Sequence, residues 1–120
     1  MPLPQSFGSV KFISLNRNAL LARLRDIAAH IRRDHRAVEE IRLFGSLARG
    51  DHTGMSDVDV LIVLEESRER DPLRRILVFL PYFDLDRGVD LLVYTRAELQ
   101  AHLDARDAFA RNVWEPSIAL

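Results

Sequence analysis

The stretch Gly45-Ser46-Leu47-Ala48-Arg49-Gly50-Asp51-His52-Thr53-Gly54-Met55-Ser56-Asp57-Val58-Asp59 runs directly into Val60-Leu61-Ile62-Val63-Leu64. The apolar run reads as a strand over Asp57–Leu64 whose outer half is covered on both faces, which predicts a central place in a sheet. Upstream, Glu40–Phe44 reads as a second strand, broken by Gly45 and Ser46. Ser46–Arg49 fits a short helix and Gly50–Ser56 a polar loop. Successive side chains on a strand point to opposite faces, so Asp57 and Asp59 share one face at the start of the second strand. Two carboxylates so placed repel each other unless a cation lies between them. Hard oxygen ligands in such a pair suit Mg²⁺, which takes its remaining ligands from water and phosphate.

Working outward, Leu20, Leu24, Ile27 and Ile31 make one apolar stripe, which predicts a helix over about residues 16–34 with Ser14 or Asn16 as cap. Asp71-Pro72 opens another helix, with Leu73, Ile76, Leu77 and Leu80 as its core face and Pro81 as its end. Val89–Tyr94 is a third strand. Thr95-Arg96-Ala97-Glu98 forms a capping box, and Leu99, Leu103, Phe109 and Val113 carry helical spacing onward to Pro116. The order of helix, strand, strand, helix, strand, helices predicts an α/β (α+β) fold, a small mixed β-sheet flanked by helices. Residues 1–13, with two prolines and Gly8, read as an N-terminal extension in which residues 10–13 could add a short strand. Residues 14–120 read as a single domain. The apolar tail after Trp114 is expected to pack on the sheet or on a partner.

Asp90 lies among Val89, Leu91, Leu92 and Val93. An unpaired carboxylate buried there would cost several kcal/mol. If its strand pairs with Asp57–Leu64, Asp90 completes a three-carboxylate cluster. Such a cluster can hold two metals about 3.5–4 Å apart, the arrangement that stabilises attacking and leaving oxygens in phosphoryl-type displacement. Gly45 lets backbone approach a phosphate closely, and the Ser46 hydroxyl with the first amides of the short helix are donors aimed at anionic oxygens. Ser46 as a mere helix cap is the competing reading. Arg49, one turn on, either pairs with the same phosphates or is simply solvated. Ser56 either caps the turn before the strand or contacts phosphate.

Composition narrows the classes. The chain has 120 residues, 48% hydrophobic and 29% charged, with a net charge of −1. That fits one folded domain and argues against a protein held tightly to nucleic acid by excess positive charge. The absence of cysteine excludes disulfides, zinc–thiolate sites and thiol catalysis. Neither a signal peptide nor a membrane-spanning run is visible, so no membrane partner is expected and the cytoplasm is the expected location. His30, His35 and His102 lack metal-ligand spacing. The arginines from Arg23 to Arg36 read as a solvated face in preference to a docking patch, and Trp114 as an anchor or interface residue.

Gly-Ser, ten residues, Asp-x-Asp and a later Asp on an apolar strand resemble the pattern of the DNA polymerase beta-like nucleotidyltransferase superfamily. Gly-Ser-Leu-Ala-Arg-Gly and the helix-first layout are similar to its minimal nucleotidyltransferases, the MNT domains. The resemblance spans about residues 16–113. It implies the polymerase beta palm-like fold and transfer of a nucleotide from ATP or another NTP, with two Mg²⁺ ions, to a hydroxyl. It assigns Asp57, Asp59 and Asp90 as metal ligands and catalytic residues, with Asp90 helping to deprotonate the acceptor. It assigns Gly45 and Ser46 to the β- and γ-phosphates; Arg49 and Ser56 join as nucleotide-binding candidates. Members of this family often act as antitoxins paired with a helical HEPN protein, and can transfer AMP to a tyrosine of that partner. Two alternatives stand beside this: a non-catalytic antitoxin or regulatory subunit that masks its partner, and a small-molecule nucleotidyltransferase completed by a partner subunit. Homo- or hetero-oligomers fit either.

Overall fold

The computed structural model describes residues 17–51 and 56–120. The expected cap at Ser14 or Asn16, the short strand over 10–13, and His52 to Met55 lie outside them. Strand β1 (Val38–Phe44) pairs antiparallel with β2 (Val58–Leu64), and β2 pairs parallel with β3 (Val89–Thr95). A two-residue strand, β4 (Ile118–Ala119), adds antiparallel to the outer edge of β1, so the sheet order is β3-β2-β1-β4. The short helix α2 (Ser46–Arg49) follows β1. As expected from its apolar run, β2 is interior, with every residue but Asp59 buried. β1 begins two residues earlier than predicted, at Val38, where a register irregularity between Val38 and Glu40 interrupts the ladder.

Helix α1 (Arg17–Asp34) lays Leu24, Ile27 and Ile31 on the sheet, as its stripe predicts, and adds Leu21 and Ala28. Together with Ile41, Leu43, Val60, Ile62, Leu91 and Val93 they form the main core. The opposite sheet face is covered by α4 (Arg96–Ala105) and a following π-helical turn, Ala110–Trp114. There Leu61, Val63 and Leu99 are buried under Tyr94, Leu103, Phe109, Val113 and Trp114. The Thr95–Glu98 capping box is present at the start of α4. The expected continuous helical spacing to Pro116 breaks at Arg106, which sits in the left-handed region with φ 50° and turns the chain. The tail does pack on the sheet: Arg42 faces Ala119 across the ladder, and Leu120 N–H donates to the Ile41 carbonyl at 2.9 Å. Trp114 is an anchor, with the Arg42 guanidinium 4.5 Å from the centre of its ring.

Helix α3 (Pro72–Phe79) corrects the sequence reading. Asp71 caps it, accepting from Leu73 N–H at 3.0 Å, and Pro72 opens it, as expected. The expected core face does not form. Leu73, Leu77 and Leu80 are exposed and Ile76 is half-buried, while Arg75 and Phe79 point inward. The cause is Arg75, which is 4% exposed. Its guanidinium donates to Glu98 at 2.6 Å, to the Glu69 carbonyl at 2.7 Å and to the Val93 carbonyl at 3.3 Å. Turning the leucines inward would carry the guanidinium away from Glu98 and from the Glu69 and Val93 carbonyls, and so forfeit bonds that a buried leucine does not replace. Among the described residues no helix is long and apolar enough to cross a membrane.

Candidate active site

Parallel pairing of β2 and β3 places Asp59 directly opposite Asp90. Partners across a ladder share a face, and alternation puts Asp57 on that face too. The three acids therefore gather at the N-terminal ends of two adjacent strands. Asp90 is exposed there, not buried, so the desolvation problem raised by its apolar neighbours does not arise: those that are buried face the opposite way. Asp59 is the enclosed member. Its carboxyl is pushed up to about 6, first by burial, then by the charge of Asp90 and a hydrogen bond to it, then by Asp57; Arg49 pulls the other way. Carboxyls this close cannot all ionise cheaply.

Two glycines make room for these side chains. Gly45 has φ 75° and ψ −158°, a region essentially closed to residues with a Cβ, and a Cβ there would collide with the Asp59 carboxylate. Gly88 does the same for Asp57: its carbonyl accepts from Val58 N–H at 2.9 Å, and a Cβ on it would strike Asp57 Oδ1. The sequence gives Gly45 a phosphate-approach role, and its closeness to Asp59 is an added constraint. Gly88 was missed, because only the β2–β3 register brings it beside Asp57.

Of the phosphate-side candidates, Ser46 begins α2 but is not its cap. Gly45 holds the cap position, and the Ser46 side chain makes no hydrogen bond among the described residues. The capping alternative for Ser46 is thereby removed. Arg49 is near enough to Asp59 to bias its titration, while its Nε donates to Asp51 at 3.2 Å on an exposed flank. Ser56 is half-buried, and its carbonyl accepts from Arg87 Nη1 at 3.3 Å. Arg87 thus ties the segment before β2 to the segment before β3, next to Gly88. Its Nε is buried without a hydrogen bond, 4.0 Å from Asp86. Arg17, at the start of α1, donates to the Leu47 carbonyl at 2.8 and 3.0 Å and so pins α2 over the sheet. Neither arginine was singled out from sequence, since both act through backbone carbonyls that only the fold brings near.

As the side chains stand, no three of the described His, Asp or Glu residues converge on a single cation position. The chemistry of the donor set nevertheless fits a hard divalent cation: three carboxylates on one sheet face, one of them raised by burial and then by the charge of the others.

Comparison with known proteins agrees with this geometry. The sequence profile of the nucleotidyltransferase domain matches residues 23–114. A crystal structure of a candidate nucleotidyltransferase from Sulfolobus solfataricus superposes with a TM-score of 0.66 at 21% identity, over 89% of this chain and 85% of the other. No curated protein matches. With a profile that spans most of its length, the chain belongs to the nucleotidyltransferase domain family.

Proposed function

We propose that the protein is a Mg²⁺-dependent nucleotidyltransferase that moves a nucleoside monophosphate, AMP from ATP, onto a hydroxyl. The observation that carries this reading is the gathering of Asp57, Asp59 and Asp90 on one sheet face beside the Gly45-Ser46 turn. Asp57, Asp59 and Asp90 would hold the divalent cations, which supply charge neutralisation for the triphosphate when bound. The Ser46 hydroxyl, without a protein partner among the described residues, donates to a β- or γ-phosphate oxygen. The Arg49 guanidinium, at the rim, adds a second donor. Asp90, the exposed acid, accepts the proton of the incoming hydroxyl. The freed oxygen forms the new bond to the α-phosphorus, the bond from that phosphorus to the β-phosphate bridging oxygen breaks, and pyrophosphate leaves. Gly45 and Gly88 act by keeping the Asp59 and Asp57 carboxylates where they stand. Ser56 serves through its backbone, clamped by Arg87.

The acceptor is proposed from the resemblance to minimal nucleotidyltransferases: a tyrosine on a HEPN-type partner toxin, whose modification would make this chain an antitoxin. Residues 14–120 form one catalytic domain in this reading, and the cytoplasm is its place of action. The test is transfer of label from each α-³²P NTP to proteins of a native lysate, with Asp57→Asn as control. Label on one protein with wild type alone supports the reading. Undiminished transfer by Asp57→Asn contradicts it, and NTP binding without any transfer points to a subunit that masks its partner.

A further inference from the structure

Leu73, Leu77 and Leu80 are 72%, 68% and 39% exposed, and Val78 beside them is 51% exposed. These are the exposed large hydrophobics among the described residues, and all four lie on α3 and its first residue beyond. Single exposed leucines are ordinary, but a contiguous group of this kind marks an association site. The exposure is built into the packing. The Arg75–Glu98 ion pair at 2.6 Å and buried Phe79 fix which side of α3 faces the sheet, so the leucine side cannot rotate inward.

We propose that this face joins two copies of the chain, α3 against α3, about a two-fold axis. The leucines recur at a 4–3 spacing, the seam that packs against a second helix. A seam on a two-fold axis is its own complement, since each copy offers the same residues. The charges choose the direction. Arg70 and Arg74 are exposed at the start of the helix and outnumber the exposed cap Asp71 between them, and Asp84 and Asp86 are exposed just past its end. Antiparallel pairing brings the arginines of one copy toward the aspartates of the other, whereas parallel pairing would set arginine beside arginine. Arg74 has only loose partners at home, 3.8 Å to Glu69 and 3.9 Å to Asp71. A standard interface buries about 800 Å² per partner, so four apolar side chains form its centre and need this polar rim to complete it.

The test is sedimentation equilibrium of the full chain from about 1 to about 100 µM, where mass action separates monomer from dimer. The proposal expects the mass to rise from 13.8 kDa toward twice that value. Leu77→Arg should weaken association at least about tenfold, since a charge at the interface centre must be desolvated. Arg74→Glu should weaken it less, by an amount that shrinks in high salt. Because Leu77 and Arg74 are exposed, thermal melts of both variants should match wild type at about 1 µM, where mass action keeps the chain monomeric. A wild-type chain that stays at 13.8 kDa throughout overturns the proposal and leaves the seam to a different protein. So does a dimer that Leu77→Arg leaves unchanged.

Discussion

Asp59 shows how a single side chain carries both the strain and the function proposed for this fold. Its carboxyl titrates near 6 instead of 3.8, so the folded chain holds that proton more tightly than the unfolded one. Stability from this group is therefore lost as pH rises from about 4 to about 6. Asp59→Asn should flatten that slope and stabilise the unliganded protein by about 1 kcal/mol at pH 7, while abolishing transfer. Urea melts at two pH values check the first half; an unchanged slope would contradict the crowding of acids described here. Gly88 makes the complementary case. Gly88→Ala forces the Asp57 carboxylate aside at a flexible side chain, so folding should change by less than about 1 kcal/mol while transfer falls about tenfold or more. Full activity in that variant would mean that Asp57 does not need its observed place. The three acids were legible in the sequence because strand alternation and two apolar runs are local patterns. Gly88 was not, because its role depends on which strand lies beside β2 and in what register.

At the scale of elements, α1 and α3 carry similar apolar stripes and meet opposite fates. The stripe of α1 faces the sheet, as its spacing predicts. The stripe of α3 faces out, because Arg75 finds Glu98 on a helix 23 residues away and the bonds of its buried guanidinium decide the rotation. No local window contains that partner. Glu98 is held below its ordinary 4.5, chiefly by its hydrogen bond to Arg75. A depressed carboxyl stabilises the fold above about 4.5 and loses that contribution as pH falls through its folded value. Glu98→Gln should therefore cost about 1 kcal/mol at pH 7, since solvent screens the half-exposed carboxylate, with the gap to wild type closing under acid. Denaturant midpoints of the two proteins across pH would show it; a constant gap would mean that the charge of Glu98 contributes nothing to the fold. Strand β4 was equally illegible, since two residues carry no periodicity. Only the expectation that the apolar tail packs on the sheet anticipated it.

For the whole molecule, the sheet is the frame that relates its ends. β4 closes the β1 edge, and Ser117 accepts from Arg42 Nε at 2.7 Å while its own hydroxyl donates to the Trp114 carbonyl at 2.6 Å. Removing residues 117–120 should lower the melting temperature by about 5 °C, from lost ladder bonds and a freed guanidinium; an unaltered melt would make β4 incidental. β1, which the tail braces, leads into the Gly45-Ser46 turn, and β2 beside it follows Asp57 and carries Asp59. The claim that unites these scales is that Asp57, Asp59 and Asp90 bind a metal–nucleotide complex beside Ser46. Calorimetric titration of NTP into the protein, with and without Mg²⁺, tests it most directly, because no acceptor is needed. The account predicts binding of at least one NTP that requires Mg²⁺ and disappears in both Asp59→Asn and Asp90→Asn. Binding of equal strength without Mg²⁺, or undiminished in those variants, would contradict it.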